Sequence, residues 1–264
     1  MNQIRPSAVA GLFYPASKHQ LQDEVQAYLK QAQQIDSPQR PIRAIIAPHA
    51  GYQYSGPIAA SVYRMVAERC ANVTHVILLG PAHRVAFRGI AAPSVDQFMT
   101  PLGPIDLDRE NIKSLEKFSF VHVSDLPHQE EHSLEVHLPF LQTVLSNFQL
   151  TPLVVGDCRP DQVHQVLDTF WNQTDNLIVI SSDLSHFHDY TTAQRMDQAT
   201  SHAIETLAYD KLDYDHACGR TPVQGVLLLA KEHGLTVQTV DLRNSGDTAG
   251  TKDRVVGYGA YVIS

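Results

Sequence analysis

The 264-residue sequence predicts one three-layer α/β domain spanning residues 1–264, built on a mostly parallel central sheet. Two observations carry this expectation. Four short apolar runs, Ile42–Ala47, Val73–Leu79, Leu150–Val155 and Leu177–Ile180, are rich in β-branched residues and bounded by Pro, Gly or polar residues, as strands buried on both faces are. Segments of helical period alternate with them, and strand–helix alternation is the signature of a parallel sheet. No internal repeat, low-complexity tract or interdomain linker interrupts the pattern.

In chain order, Leu21, Val25, Tyr28, Leu29 and Ala32 form a first helical stripe, with Ser17 and Gln20 as a capping box. Residues 35–41 read as a helix-to-strand loop. After the strand at Ile42–Ala47, a helix is expected over Pro57–Cys70, with Pro57 in its first turn. Gly89–Leu107 mixes Pro and Gly with apolar pairs and reads as a hairpin or bent excursion over the sheet. Glu131–Leu145 is helical by period, and Pro139 implies a kink or a late start. Helices are further expected from Asp161 to Trp171, from Thr191 to Tyr209, and from Thr221, as cap, through His233. Two closing strands, Leu235–Leu242 and Val255–Ile263, are candidates for antiparallel edges.

Composition narrows the function classes. A hydrophobic share of 43% and a charged share of 18% describe an ordinary globule, and a net charge of −8 argues against nucleic acid or an anionic membrane as partner. No apolar run approaches a membrane span, and Met1–Arg5 does not open a charged-then-apolar leader. Cys70, Cys158 and Cys218 show no paired spacing, which points to a reducing cytoplasm.

The chemistry lies just beyond the strands. Ala47-Pro48-His49-Ala50-Gly51-Tyr52, Gly80-Pro81-Ala82-His83 and Ser181-Ser182-Asp183-Leu184-Ser185-His186 each follow one of the apolar runs. In open α/β sheets the carboxyl edge of the strands is where ligands bind. Three histidine deliveries to one edge predict a shared site, and 14 histidines in all suit metal or proton chemistry. Two imidazoles and one anionic ligand would leave metal positions open for water, substrate or dioxygen, with Asp183, Glu131 and Cys218 as candidates for the anion. Cys218 precedes a helix start and neighbours Arg220, an environment expected to lower a thiol pKa. Glu131 and Glu135 share a helical face, which is ordinarily a solvated charged face; they could instead orient ligand histidines. Asp183 and His186 form an acid–base pair.

These motifs resemble the Memo family. Gly11-Leu12-Phe13-Tyr14-Pro15, Ala47 through Gly56, Gly80–His83, Glu131-His132-Ser133-Leu134-Glu135, Ser181–His186 and Cys218-Gly219-Arg220 occur in the family's order over essentially the whole chain. Microbial members are often called AmmeMemoRadiSam system protein B. The resemblance implies a fold like that of class III extradiol ring-cleaving dioxygenases, which are non-haem Fe(II) enzymes. Carried over by motif, it makes His49, His83 and Cys218 ligands of a single transition metal, Fe(II) or Cu with Zn as a further candidate. It gives His186 the acid/base role, with Asp183 beside it, and assigns Phe13, Tyr54, Glu131, His132 and Arg220 to substrate binding. A cysteine replaces the dioxygenases' carboxylate, and a soft, oxidisable thiolate shifts the site toward copper or redox chemistry. Family members often carry Trp where this chain has Phe13.

Three functions follow as expectations: a dioxygenase-like redox enzyme acting on a small organic substrate, a metal-dependent hydrolase, or a non-catalytic pocket for a peptide, since animal relatives are regarded as phosphotyrosine-peptide binders. The family's name also implies radical SAM and AMMECR-like protein partners.

Overall fold

The computed structural model describes residues 3–33, 35 and 38–264. In the loop expected at 35–41, positions 36 and 37 lie outside the described residues, as do positions 1 and 2. In chain order the elements are β1 (Ile4–Arg5), α1 (Lys18–Gln31), β2 (Ala44–Ala47), α2 (Tyr52–Arg69), β3 (His75–Pro81), β4 (Ile90–Ala92), β5 (Gln97–Thr100), β6 (Gly103–Asp106), α3 (Arg109–Ser114), β7 (Val121–Val123), α4 (His132–Glu135) and α5 (Leu138–Val144). There follow β8 (Gln149–Val155), α6 (Pro160–Asp168), β9 (Asn176–Ser181), β10 (His186–His188), α7 (Tyr190–Glu205), α8 (Arg220–Glu232), β11 (Val237–Asn244) and β12 (Val255–Ile263).

Nine strands form one large sheet in the order β10-β12-β2-β9-β3-β8-β4-β7, with β11 also paired to β12. Its centre, β2-β9-β3-β8, is parallel. Every residue of β2 and β9 is buried, so both faces of this centre are covered. Around it the sheet is mixed: β12 runs antiparallel to β2, β10 and β11, and β4 antiparallel to β8, while β4 and β7 are parallel. "Mostly parallel" thus describes the centre and not the whole sheet. The closing strands return by a direct antiparallel connection, which needs no helical crossover.

Helices α1, α2 and α5 pack together, and α6 packs on α8, which lies against β9 and β3. The excursion after β4 forms the expected hairpin, β5–β6, which joins β1 in a separate three-stranded sheet.

Several helix boundaries depart from expectation. Helix α2 begins at Tyr52, five residues before Pro57, because the Tyr52 hydroxyl donates to the Val136 carbonyl (2.7 Å) and its N–H to Phe13 O (2.7 Å). Ser17 precedes α1 without a side-chain cap. The 131–145 helix is broken in two, with Pro139 in the first turn of α5, where its missing N–H costs nothing. Helix α8 starts at Arg220 after Gly219, α6 at Pro160 and α7 at Tyr190. Two glycines let helices approach the sheet's carboxyl edge. A Cβ on Gly80 would lie 2.7 Å from Ser133 Oγ, and one on Gly219 would lie 2.4 Å from Ser181 O.

Candidate metal centre

The register of the sheet assembles the site. Ala47 of β2 lies opposite Ser181 of β9, so His49 and Asp183, each two residues further on, leave the sheet side by side. The His49 N–H donates to Asp183 Oδ1 at 2.7 Å. On the other side of β9, β3 delivers His83 two residues past Pro81.

Hydrogen bonds fix how these rings present themselves. The Ser181 hydroxyl donates its one proton to Ser133 O (2.6 Å), so toward His49 Nδ1, also at 2.6 Å, it accepts. His49 therefore carries its proton on Nδ1, and its Nε2 lone pair faces the site. His83 is held alike. Glu131 caps α4 through the Ser133 N–H (2.9 Å) and accepts the His83 N–H (2.6 Å) and His83 Nδ1–H (2.9 Å). Burial pushes this carboxyl up, but the bonds from His83 and Ser133 outweigh it and hold the pKa at about 2. An ionised carboxylate only accepts, so Nδ1 is the donor and Nε2 is free. Of the roles expected for Glu131, as anionic ligand, orienting partner or substrate-binding residue, its bonds to His83 are those of the orienting one.

The third ring is His132, at the start of α4. Its centroid lies 4.6 Å from that of His83 and 5.5 Å from that of His49, and His49 and His83 are 5.0 Å apart. One nitrogen from each ring falls within 4.8 Å of the other two, a grouping able to hold a metal ion. Burial drives the His49 pKa well below its usual range and the neighbouring imidazoles add to this; burial likewise brings His132 down to about 4. Both are neutral near pH 7, the state in which imidazole ligates. Phe13 packs its ring 4.7 Å from His132, and Tyr54 lies in the first turn of α2 beyond His49.

Cys218 stands outside that triangle but against it: Sγ lies 3.4 Å from His49 Nε2 and accepts the Asp183 N–H at 3.3 Å. The expected acidic thiol is not found. Burial pushes Cys218 up to about 12, with the Asp183 carboxylate adding to the rise. Arg220, which was expected to lower it, instead stacks its guanidinium 3.6 Å from the centre of the Tyr214 ring. Burial also raises the Asp183 carboxyl above its usual range, against the bond it accepts from the His49 N–H. His186 opens β10 opposite Val256.

The face bearing Glu131 and Glu135 is not solvated. Glu135 is fully buried and receives Arg5 Nη1 (2.6 Å), the Tyr14 hydroxyl (2.6 Å) and the Ala8 and Val9 N–H groups. This network clamps the segment leading to Phe13 against α4. Sequence reasoning missed Arg5, Tyr14 and Ser181 as supports of the site. The one available signal was a polar residue, Ser181, closing a strand whose interior, Leu177–Ile180, is apolar.

Comparison with known proteins places the chain in a family. The profile of the Memo-like protein family matches residues 5–262. Proteins named MEMO1 family protein from Aquifex aeolicus and Sulfolobus acidocaldarius are 34% and 33% identical, each alignment covering 97% of both chains. One from Nitrosopumilus maritimus is 31% identical over 97% of this chain and 98% of its own. The crystal structure of an uncharacterized protein from Escherichia coli K12 superposes with a TM-score of 0.53 at 10% identity, covering 84% of this chain and all of that one, a likeness of fold alone. With a family profile spanning nearly its whole length and full-length relatives above 30% identity, the chain belongs to the Memo family.

Proposed function

We propose that the protein is a mononuclear metal enzyme of dioxygenase-like redox character acting on a small organic substrate. The observation that carries this reading is the pair of imidazoles, His49 and His83, whose Nδ1 protons are committed to Ser181 and Glu131 so that both Nε2 lone pairs face a common point. His132 and Cys218 flank that point. Tetrahedral ligands at about 2.1 Å (N) and 2.3 Å (S) from one ion stand about 3.5 Å apart. The 3.4 Å between His49 Nε2 and Cys218 Sγ suits such a pair, which supports Cys218 as third ligand, with His132 as the neighbouring donor. A soft, mixed N/S set suits Fe(II) or Cu, and a bound ion would supply redox and Lewis-acid chemistry. Asp183, whose carboxyl burial raises above its usual range, and His186 would hold and move a proton beside it.

The test is anaerobic purification with elemental analysis, followed by dioxygen-uptake assays with catechols and thiols. The expected result is one metal per chain, lost in His49→Ala, with substrate-dependent dioxygen consumption. Metal binding unaffected by His49→Ala would overturn the reading.

A second reading, a peptide-binding pocket, is favoured by the large exposed apolar side chains Leu12, Phe187 and Tyr214, each on a segment that carries a site residue. Dioxygen uptake absent with every substrate, together with saturable peptide binding, would select it.

A further inference from the structure

Beside the metal centre lies a cavity of about 240 Å³, between the carboxyl ends of β3 and β8 and the start of α8. Cys218 forms part of its wall, and Ala82, next to His83, forms another part. At about 30 Å³ per water it has room for roughly eight waters, so it suits a ligand well below drug size. Much of its lining is apolar, including Phe87, Val155 and Pro222. One cation, Arg220, lines it from the first turn of α8.

Among the described residues, no hydrogen bond or ion pair reaches the Arg220 guanidinium, and Nε is buried without a partner. Arginine presents five donors in a planar fork shaped for a carboxylate, and a buried donor left unmade is destabilising until a ligand meets it. Stacking on Tyr214 fixes the plane of the fork while leaving its edge free. Asp157, exposed, contributes the one carboxylate in the lining. One arginine opposed by one acid favours a monoanion over a doubly charged phosphate.

We propose that this cavity is the substrate subsite of the metal centre and takes a small, flat, apolar monocarboxylate, its carboxylate paired with Arg220 and its body lying on Phe87 and Pro222. Calling the occupant a substrate rests on the metal reading; the recognition chemistry does not. Cys218 then has two faces, one toward His49 and one toward the ligand.

The test uses benzoate, and its neutral isostere benzamide, titrated calorimetrically into metal-free protein, so that no ion competes for the carboxylate. Benzoate should bind saturably, at least tenfold tighter than benzamide, and should slow alkylation of Cys218 as followed by mass spectrometry. Arg220→Gln should weaken benzoate at least tenfold and leave benzamide unchanged. Equal affinities for the two probes in the unaltered protein, no saturable benzoate binding, or an Arg220→Gln variant that retains benzoate affinity would each overturn the subsite. Zinc binding measured on the same preparations separates the two readings. Zinc bound without benzoate binding removes the subsite alone, whereas benzoate bound without zinc keeps the anion pocket and removes the metal reading.

Discussion

Replacing Ser181 with alanine probes the metal centre without touching a proposed ligand. The Ser181 hydroxyl is fully buried, donating to Ser133 O and accepting from His49 Nδ1, both at 2.6 Å. Ser181→Ala strands one buried N–H and one buried carbonyl, each worth about 1–3 kcal/mol when left unmade, for a total of about 2–6 kcal/mol less whatever an entering water returns. In a chain of this size each kcal/mol moves the melting temperature by roughly 2–4 °C, so a fall of at least about 4 °C is expected. The loss most specific to the argument is tautomeric. Freed of Ser181, His49 can place its proton on Nε2, and metal affinity should drop by about 10–100-fold, as it does when the partner orienting a ligand is removed. Chelator-competition titration with zinc measures the affinity, and imidazole ¹⁵N shifts report which nitrogen is protonated. Ser61→Ala serves as the control: Ser61 is also buried and bonds Asp241 Oδ2 at 2.7 Å away from the site, so it should destabilise while leaving zinc affinity alone. A Ser181→Ala protein that binds zinc within twofold of the unaltered chain, with His49 still protonated on Nδ1, would refute the reasoning.

Three further outcomes are expected. Glu131→Gln necessarily sets an amide NH₂ against one of the three N–H donors its carboxylate now accepts, so zinc affinity should fall by about 10–100-fold, with α4 frayed in hydrogen exchange; unchanged affinity would deny Glu131 its orienting role. Glu135→Gln leaves Arg5 as an uncompensated buried charge, and urea unfolding should show a loss of about 3–5 kcal/mol; a loss below 1 kcal/mol would show that water reaches Arg5. Metal-free protein should weaken between pH 7 and 5. His128 and His137, lowered by burial to about 4 and about 3 from 6.5, bind protons only when unfolded in that range, so their stabilisation is present above 6.5 and is lost as pH falls, at ~2 kcal/mol each. His49 and His132 act in the same direction. Asp183, raised to about 6, acts oppositely by ~1 kcal/mol, because the folded state takes up its proton first. Urea midpoints that stay flat across this range would contradict the buried, neutral assignment of these histidines.

The edge of the sheet that carries the site was legible because apolar runs broken by Pro and Gly mark strand ends whatever the partners, and His49, His83 and Asp183 each lie two residues beyond one. What holds those residues was less legible. Ser181 acts through a carbonyl 48 positions away and a ring nitrogen 132 positions away, and Arg5 through a carboxylate 130 positions away, separations that no local pattern encodes. The Glu131/Glu135 spacing reads the same whether the face is wet or dry; only the packing of the N-terminal segment decides it. Cys218 fails the rule for helix entrances because that rule assumes some solvent. In its buried setting desolvation outweighs the helix end, and Arg220 has turned to Tyr214. The large sheet came out mixed because the last strand pairs by antiparallel return, a choice that its apolar composition does not distinguish.

Glu131 has a consequence that reaches beyond the metal. By grasping both the main chain and the ring of His83, 48 positions earlier, it ties a knot at the neck of everything between them: β4 and β7 of the large sheet, α3 and the hairpin of the smaller sheet. Below that neck, residues added at the turn of the β5–β6 hairpin should reach the ligands little, since doubling the length of a flexible loop costs only about 0.6 kcal/mol in closure entropy. That turn is therefore a place where the fold can carry new surface while the centre itself stays as it is.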